Sequence, residues 1–138
     1  MTEPARPRTI LVVDVEKFSG LDRTDSQRVT VRDSLYDMLQ SAFRETGIGW
    51  DSCHVEDRGD GVLILAPVDI PKTYFSDELP GRLATALRAH NRERSHPERM
   101  RLRMALNAGE VFFDEHGPVA DALNKTFRML FFSVSSIE

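Results

Sequence analysis

The sequence predicts an α+β domain built on a ferredoxin-like βαββαβ core. Three observations point there. Short β-branched runs stand at residues 9–15 and 62–68, amphipathic helical patterns at 26–46 and 76–93, and strand-forming composition returns at 101–117. With 138 residues and 41% hydrophobic content, the chain has the size and the core material of a single domain.

Each element has its own signal. Residues 1–8, "MTEPARPR", read as a loose, disordered polar tail, so the domain is expected over 9–138. "TILVVDV" (9–15) is a continuous β-branched run, the pattern of a strand buried on both faces, and it ends on Asp14 and Val15. From 26 to 46, Val31, Leu35, Leu39 and Phe43 recur at helical spacing, and Gly47 is placed to end the helix. Residues 50–57 and 62–68 form a hairpin about Gly59-Asp60-Gly61. Leu79, Leu83 and Leu87 mark a second helix, with Ser76 or Asp77 as its cap and Pro80 in its first turn. Residues 101–117 read as two strands around Asn107-Ala108-Gly109, with a turn at His116-Gly117. Val119, Leu123, Phe127 and Leu130 give a last helix over 119–132.

Composition narrows the function classes. A net charge of -4 argues against a nucleic-acid binder held by a basic face. No run approaches the roughly 18 apolar residues that span a membrane, and the first residues carry no secretory signal. Cys53 is the only cysteine, so no internal disulfide forms. A soluble, cytoplasmic protein is the expectation, without an export route that would make Arg58-Gly59-Asp60 an adhesion tripeptide.

The chemistry gathers on carboxylates. Asp14 closes the first strand and Asp60 sits in the hairpin turn. In a ferredoxin-like sheet the first and third strands are neighbours, so the two approach each other. With no basic partner expected between them, they repel unless a divalent cation intervenes. Oxygen ligands favour magnesium, calcium or manganese over zinc. On the last helix, Asn124 and Arg128 are four apart and share a face, a neutral donor beside a planar cation suited to a charged phosphoryl group. An ordinary solvated helix face has the same spacing.

Four segments together resemble a known family. "ILVVDVEKFSG", "EDRGDGVLIL", "RLRMALNAGEVFF" and "DALNKTFRML" are similar, in order, to the metal-binding and transition-state segments of class III adenylate and guanylate cyclase catalytic domains. The resemblance implies conversion of a nucleoside triphosphate to a 3′,5′-cyclic nucleotide and pyrophosphate. It implies that Asp14, the Val15 carbonyl and Asp60 hold two Mg2+ or Mn2+ ions. Backbone N–H groups of residues 16–19, Phe18 and Ser19 among them, would meet the triphosphate. Asn124 would orient the ribose and Arg128 would neutralise the phosphorus centre. Glu56 stands at the base-selecting position, where a carboxylate accepts from guanine N1 and N2. The site would lie across a homodimer, one chain giving the aspartates and its partner Asn124 and Arg128.

The chain also departs from the family pattern. Gly117 stands at the second base-selecting position and Ala120 replaces a usual glycine. "MLFFSVSSIE" carries no basic residue where the family continues into a phosphate-binding lysine, so a domain shortened at its C-terminus is expected. These departures motivate the alternative of a catalytically inactive cyclase-homology domain serving nucleotide binding, dimerisation or regulation.

Overall fold

The computed structural model describes residues 3–20, 22–128 and 132–134. Six strands form one antiparallel sheet: β1 (Glu3–Val15), β2 (His54–Asp57), β3 (Gly61–Pro67), β4 (Leu102–Asp114), β5 (Gly117–Val119) and β6 (Phe132–Val134). The helices are α1 (Asp25–Thr46), α2 (Leu79–Glu93) and α3 (Asp121–Arg128). The sheet runs β2-β3-β1-β4-β5, with β6 also paired to β4. Its first four members have the strand order of the ferredoxin-like pattern, with β1 in the middle.

Alternation along β1 divides the core. Leu11, Val13 and Val15 face α1 and α2, where Leu35, Leu39, Phe43, Leu83 and Leu87 complete the larger cluster. Ile10 and Val12 face the other way and meet Leu63, Leu65, Val111 and Leu123 of α3. Both faces of β1 are therefore covered, which accounts for its unbroken apolar run. Each fully buried leucine or phenylalanine contributes about 2 kcal/mol by removal from water. Thr24 caps α1 in a reciprocal capping box with Gln27, and Gly47 ends it in the left-handed region at φ 87°.

Four expectations need correction. The tail expected over 1–8 is strand from Glu3 onward, because Arg6, Pro7 and Arg8 pair with Val111, Glu110 and Gly109. Its polar and proline residues concealed this, since a partner strand supplies pairing that composition does not advertise. Asn107-Ala108-Gly109 is no turn but lies inside the continuous β4. Gly109 is there for close packing: a Cβ on it would come 2.6 Å from Ala122 Cβ of α3. Residues 50–52 form a 3₁₀ turn, and β2 starts only at His54. Ser76 and Asp77 cap nothing; they lie within a π-helical turn (Tyr74–Glu78) that leads into α2.

The last helix ends within its expected range, since Phe132 is already strand. Leu130 and the side chains of Phe127 and Arg128 lie outside the described residues. Among the described residues no helix is long and apolar enough to cross a membrane. Cys53 is half-buried, and burial pushes its thiol above the usual range.

Candidate active site

Asp14 and Glu56 lie on the sheet face away from α1 and α2, the face that α3, which carries Asn124, packs against. Asp14 sits across from Gly61 on β3 and Arg103 on β4. Residues directly opposite in an antiparallel sheet share a face, so Asp14 and Arg103 emerge together. The pair is bidentate: Arg103 Nε donates to Oδ1 at 3.0 Å and a terminal nitrogen donates to Oδ2 at 2.8 Å. Asp14 is only 5% exposed, so its charge depends on that partner. The expectation of two carboxylates without a basic partner is therefore corrected.

Arg103 is the functional candidate that motif reading passed over. It sits between two buried residues, Leu102 and Met104, in an ordinary alternating strand. Only strand register reveals that it faces Asp14. Its guanidinium is held above the ordinary arginine range, first by the hydrogen bond to Asp14, then by the charges of Asp14, Glu16 and Asp60, with burial opposing. Asp14 touches this cation, while Glu16 and Asp60 act on it through their charge alone.

Gly61 permits the approach of the hairpin to β1. A Cβ on it would lie 2.3 Å from the Val13 carbonyl oxygen and 2.7 Å from both Cα and Cβ of Asp14. The Val15 N–H donates to the Asp60 carbonyl at 2.8 Å. A residue in an antiparallel ladder directs its N–H and C=O to the same edge, so the Val15 carbonyl faces the Asp60 turn too. The turn is closed by Arg58 N–H donating to the Gly61 carbonyl at 2.8 Å. Gly59 turns through φ 83° within it, its N–H received by Asp57 Oδ1 at 3.3 Å. The backbone of Asp60 is thereby fixed beside Asp14, and its exposed side chain contributes to the field at Arg103.

Asp14, Asp60 and the Val15 carbonyl bring hard oxygens to this corner of the sheet, with both Asp14 oxygens taken by Arg103. Among the described residues no group of three or more His, Cys, Asp or Glu side chains could hold a metal ion. Two carboxylates and a carbonyl suit an ion that completes its shell with phosphate and water, as magnesium does. The bidentate guanidinium supplies the positive charge that the buried Asp14 carboxylate requires.

Glu56 lies on the same sheet face, opposite Leu63. Its Oε1 is 3.4 Å from an Arg58 nitrogen, and its Oε2 is 3.9 Å from His54 Nε2. Glu56 Oε2 and His54 Nε2 are both buried atoms with no hydrogen-bond partner. Asn124, on α3, lines a cleft of about 180 Å³ with Arg58, Leu63, Pro118, Val119, Ala120 and Leu123. That cleft contains neither Asp14 nor Asp60. Arg128 follows Asn124 by four residues at the end of α3.

Phe18 and Ser19 fall in the loop between β1 and α1, Phe18 packed on the larger core cluster and Ser19 exposed. The Glu16 N–H, expected to approach a triphosphate, instead donates to the Arg101 carbonyl at 2.9 Å. It continues the β1–β4 ladder, which takes it out of the anion-binding set.

No model of a known protein family matches the chain, and no curated protein does either. Solved structures do. The guanylyl cyclase Cya2 superposes with a TM-score of 0.74 at 22% identity, over 96% of this chain and 73% of that one. The adenylate/guanylate cyclase/hydrolase from Silicibacter pomeroyi gives 0.65 at 21%, covering 94% and 72%. The guanylate cyclase domain of RhGC from Catenaria anguillulae, in complex with GTP, gives 0.63 at 18%, covering 92% and 73%. The fold is that of class III nucleotidyl cyclase catalytic domains.

Proposed function

We propose that this chain is a nucleotidyl cyclase-type domain that closes a nucleoside triphosphate into a 3′,5′-cyclic nucleotide and releases pyrophosphate, working as a homodimer. The observation that carries the proposal is the Asp14–Gly61–Asp60 juxtaposition, in a fold shared with nucleotide-bound cyclases. In the reaction the ribose 3′-oxygen bonds to the α-phosphorus, the bond to the pyrophosphate oxygen breaks, and the 3′-hydroxyl proton is lost.

Mg2+ or Mn2+ at Asp14, Asp60 and the Val15 carbonyl would supply Lewis-acid stabilisation of the attacking and leaving oxygens. The chain's own residues bind and orient. Asn124 holds the ribose and Arg128 offsets charge at phosphorus, an effect worth about a hundredfold or more in rate for one such donor. Glu56, whose Oε2 has no hydrogen-bond partner, accepts from the base and favours guanine. A dimer would let a partner's Asn124 reach Asp14 and Asp60, which do not line the cleft that Asn124 occupies in its own chain. Phe112 and Val119, opposite each other and each about half exposed, add an apolar patch for a partner.

The test is cyclic nucleotide formation from ATP, GTP, CTP or UTP with Mn2+. Asp14→Asn and Asn124→Ala should each reduce turnover by about a hundredfold. Mixed and re-equilibrated, the two variants should recover about a quarter of wild-type activity, because half of the dimers then hold one intact site. No product from any of the four nucleotides, from a protein verified as a dimer, would remove this reading. The alternative of an inactive nucleotide-binding or regulatory domain is favoured by Gly117, which opens β5 at φ 120° just after the 115–116 turn and offers the base no side chain. It predicts metal-dependent nucleotide binding without turnover.

A further inference from the structure

Arg23 has an unusual set of partners. One terminal nitrogen donates to the Lys17 carbonyl at 3.1 Å and the Phe18 carbonyl at 3.3 Å. Its Nε donates to the Pro97 carbonyl at 2.8 Å, and the second terminal nitrogen to the Arg99 carbonyl at 2.7 Å. A single guanidinium thus gathers four backbone carbonyls from two segments. The far segment is itself anchored, since the Asn91 side chain donates to the Met100 carbonyl at 3.0 Å and accepts from its N–H at 2.9 Å.

Peptide geometry turns this brace into an orientation. A trans peptide points its N–H opposite to its C=O, and none of the described peptides is cis. The Lys17 carbonyl shares its plane with the Phe18 N–H, and the Phe18 carbonyl shares its plane with the Ser19 N–H. Drawing both carbonyls onto Arg23 turns both N–H groups to the opposite side. No acceptor among the described residues receives either of them. Lys17 sits at φ 55°, the left-handed conformation that lets consecutive amides converge, and Gly20 N–H closes the turn on the Lys17 carbonyl at 3.0 Å. Successive N–H groups in such a turn form an anion-binding concavity.

We infer that Arg23 is a positioning residue that aims the Phe18 and Ser19 N–H groups, as a preorganised pair, at the phosphates of the substrate. The inference rests on the triphosphate reading proposed above for its ligand, and on the carbonyl geometry for its mechanism. Arg23 itself faces away from the anion and acts only through the backbone.

The experiment uses inorganic tripolyphosphate with Mg2+ as the probe, on wild type, Arg23→Ala and Arg23→Lys. The Phe18 and Ser19 amide resonances should shift in the wild type on titration. Arg23→Ala should bind tripolyphosphate about tenfold more weakly, and KM for the nucleotide should rise by a similar factor with kcat little changed. Arg23→Lys, with one compact donor group in place of the planar fork, should fall between them. If Arg23→Ala does not fold, the lysine variant carries the same test by its intermediate loss. Wild-type amides that ignore tripolyphosphate would overturn the inference, as would a folded variant of unchanged affinity and KM. A wild type that binds tripolyphosphate through these amides but makes no cyclic nucleotide removes the cyclase reading and leaves Arg23 its role. An active wild type with Arg23→Ala unchanged does the reverse.

Discussion

Gly61→Ala is expected to destabilise the protein by about 3 kcal/mol and to abolish any metal-dependent activity with it. The new methyl would sit 2.3 Å from the Val13 carbonyl oxygen and 2.7 Å from Asp14 Cα, all within the central β1–β3 pair. Backbone atoms cannot rotate aside as a flexible side chain can. The strands must separate where Val15 N–H meets the Asp60 carbonyl, so the turn carrying Asp60 moves away from Asp14. Gly59→Ala is the contrasting case. Gly59 has open space around it but φ 83°, so its cost is conformational, about 1 kcal/mol. Urea unfolding of both variants checks the ranking. Equal stability of Gly61→Ala and wild type would mean that the strands are not held at this spacing.

Arg103→Met is expected to leave Asp14 charged, buried and unpaired. Removing one partner of a buried ion pair costs about 3 kcal/mol or more, and the partial exposure of Arg103 brings the expected loss to about 2 kcal/mol. The informative result is the response to cation. In the wild type a divalent ion must compete with the guanidinium for both Asp14 oxygens. In Arg103→Met it has no competitor, so millimolar Mn2+ should raise the melting temperature of the variant more than that of the wild type. Activity should still fall, because Arg103 no longer balances the charges of Glu16 and Asp60 next to the proposed metal site. A variant as stable as wild type and indifferent to Mn2+ would separate Asp14 from any cation site.

Much of this was legible in the chain because local signals and tertiary demands coincide. The run at 9–15 is apolar on both sides because β1 is central, and the 26–46 period matches α1 because one face meets the sheet. Where pairing rather than composition decides, the sequence was silent. Residues 3–8 look like a tail yet are strand, because β4 extends far enough to pair with them. Asn107-Ala108-Gly109 carries turn chemistry, but Gly109 serves the approach of Ala122 instead. The site divides in the same way. Asp14 and Asp60 stand at a strand end and a turn tip, places that sequence patterns mark. Arg103 and Arg23 act through register and through carbonyls brought from distant segments, and neither carries a local motif.

The central claim is that Asp14 and Asp60 grip a divalent ion together, and Mn2+ binding followed by electron paramagnetic resonance in the presence of a nucleoside triphosphate tests it most directly. Wild type should bind the ion, and Asp14→Asn and Asp60→Asn should each weaken binding by about tenfold or more. Unchanged Mn2+ affinity in either variant, with its fold intact, would contradict a shared site.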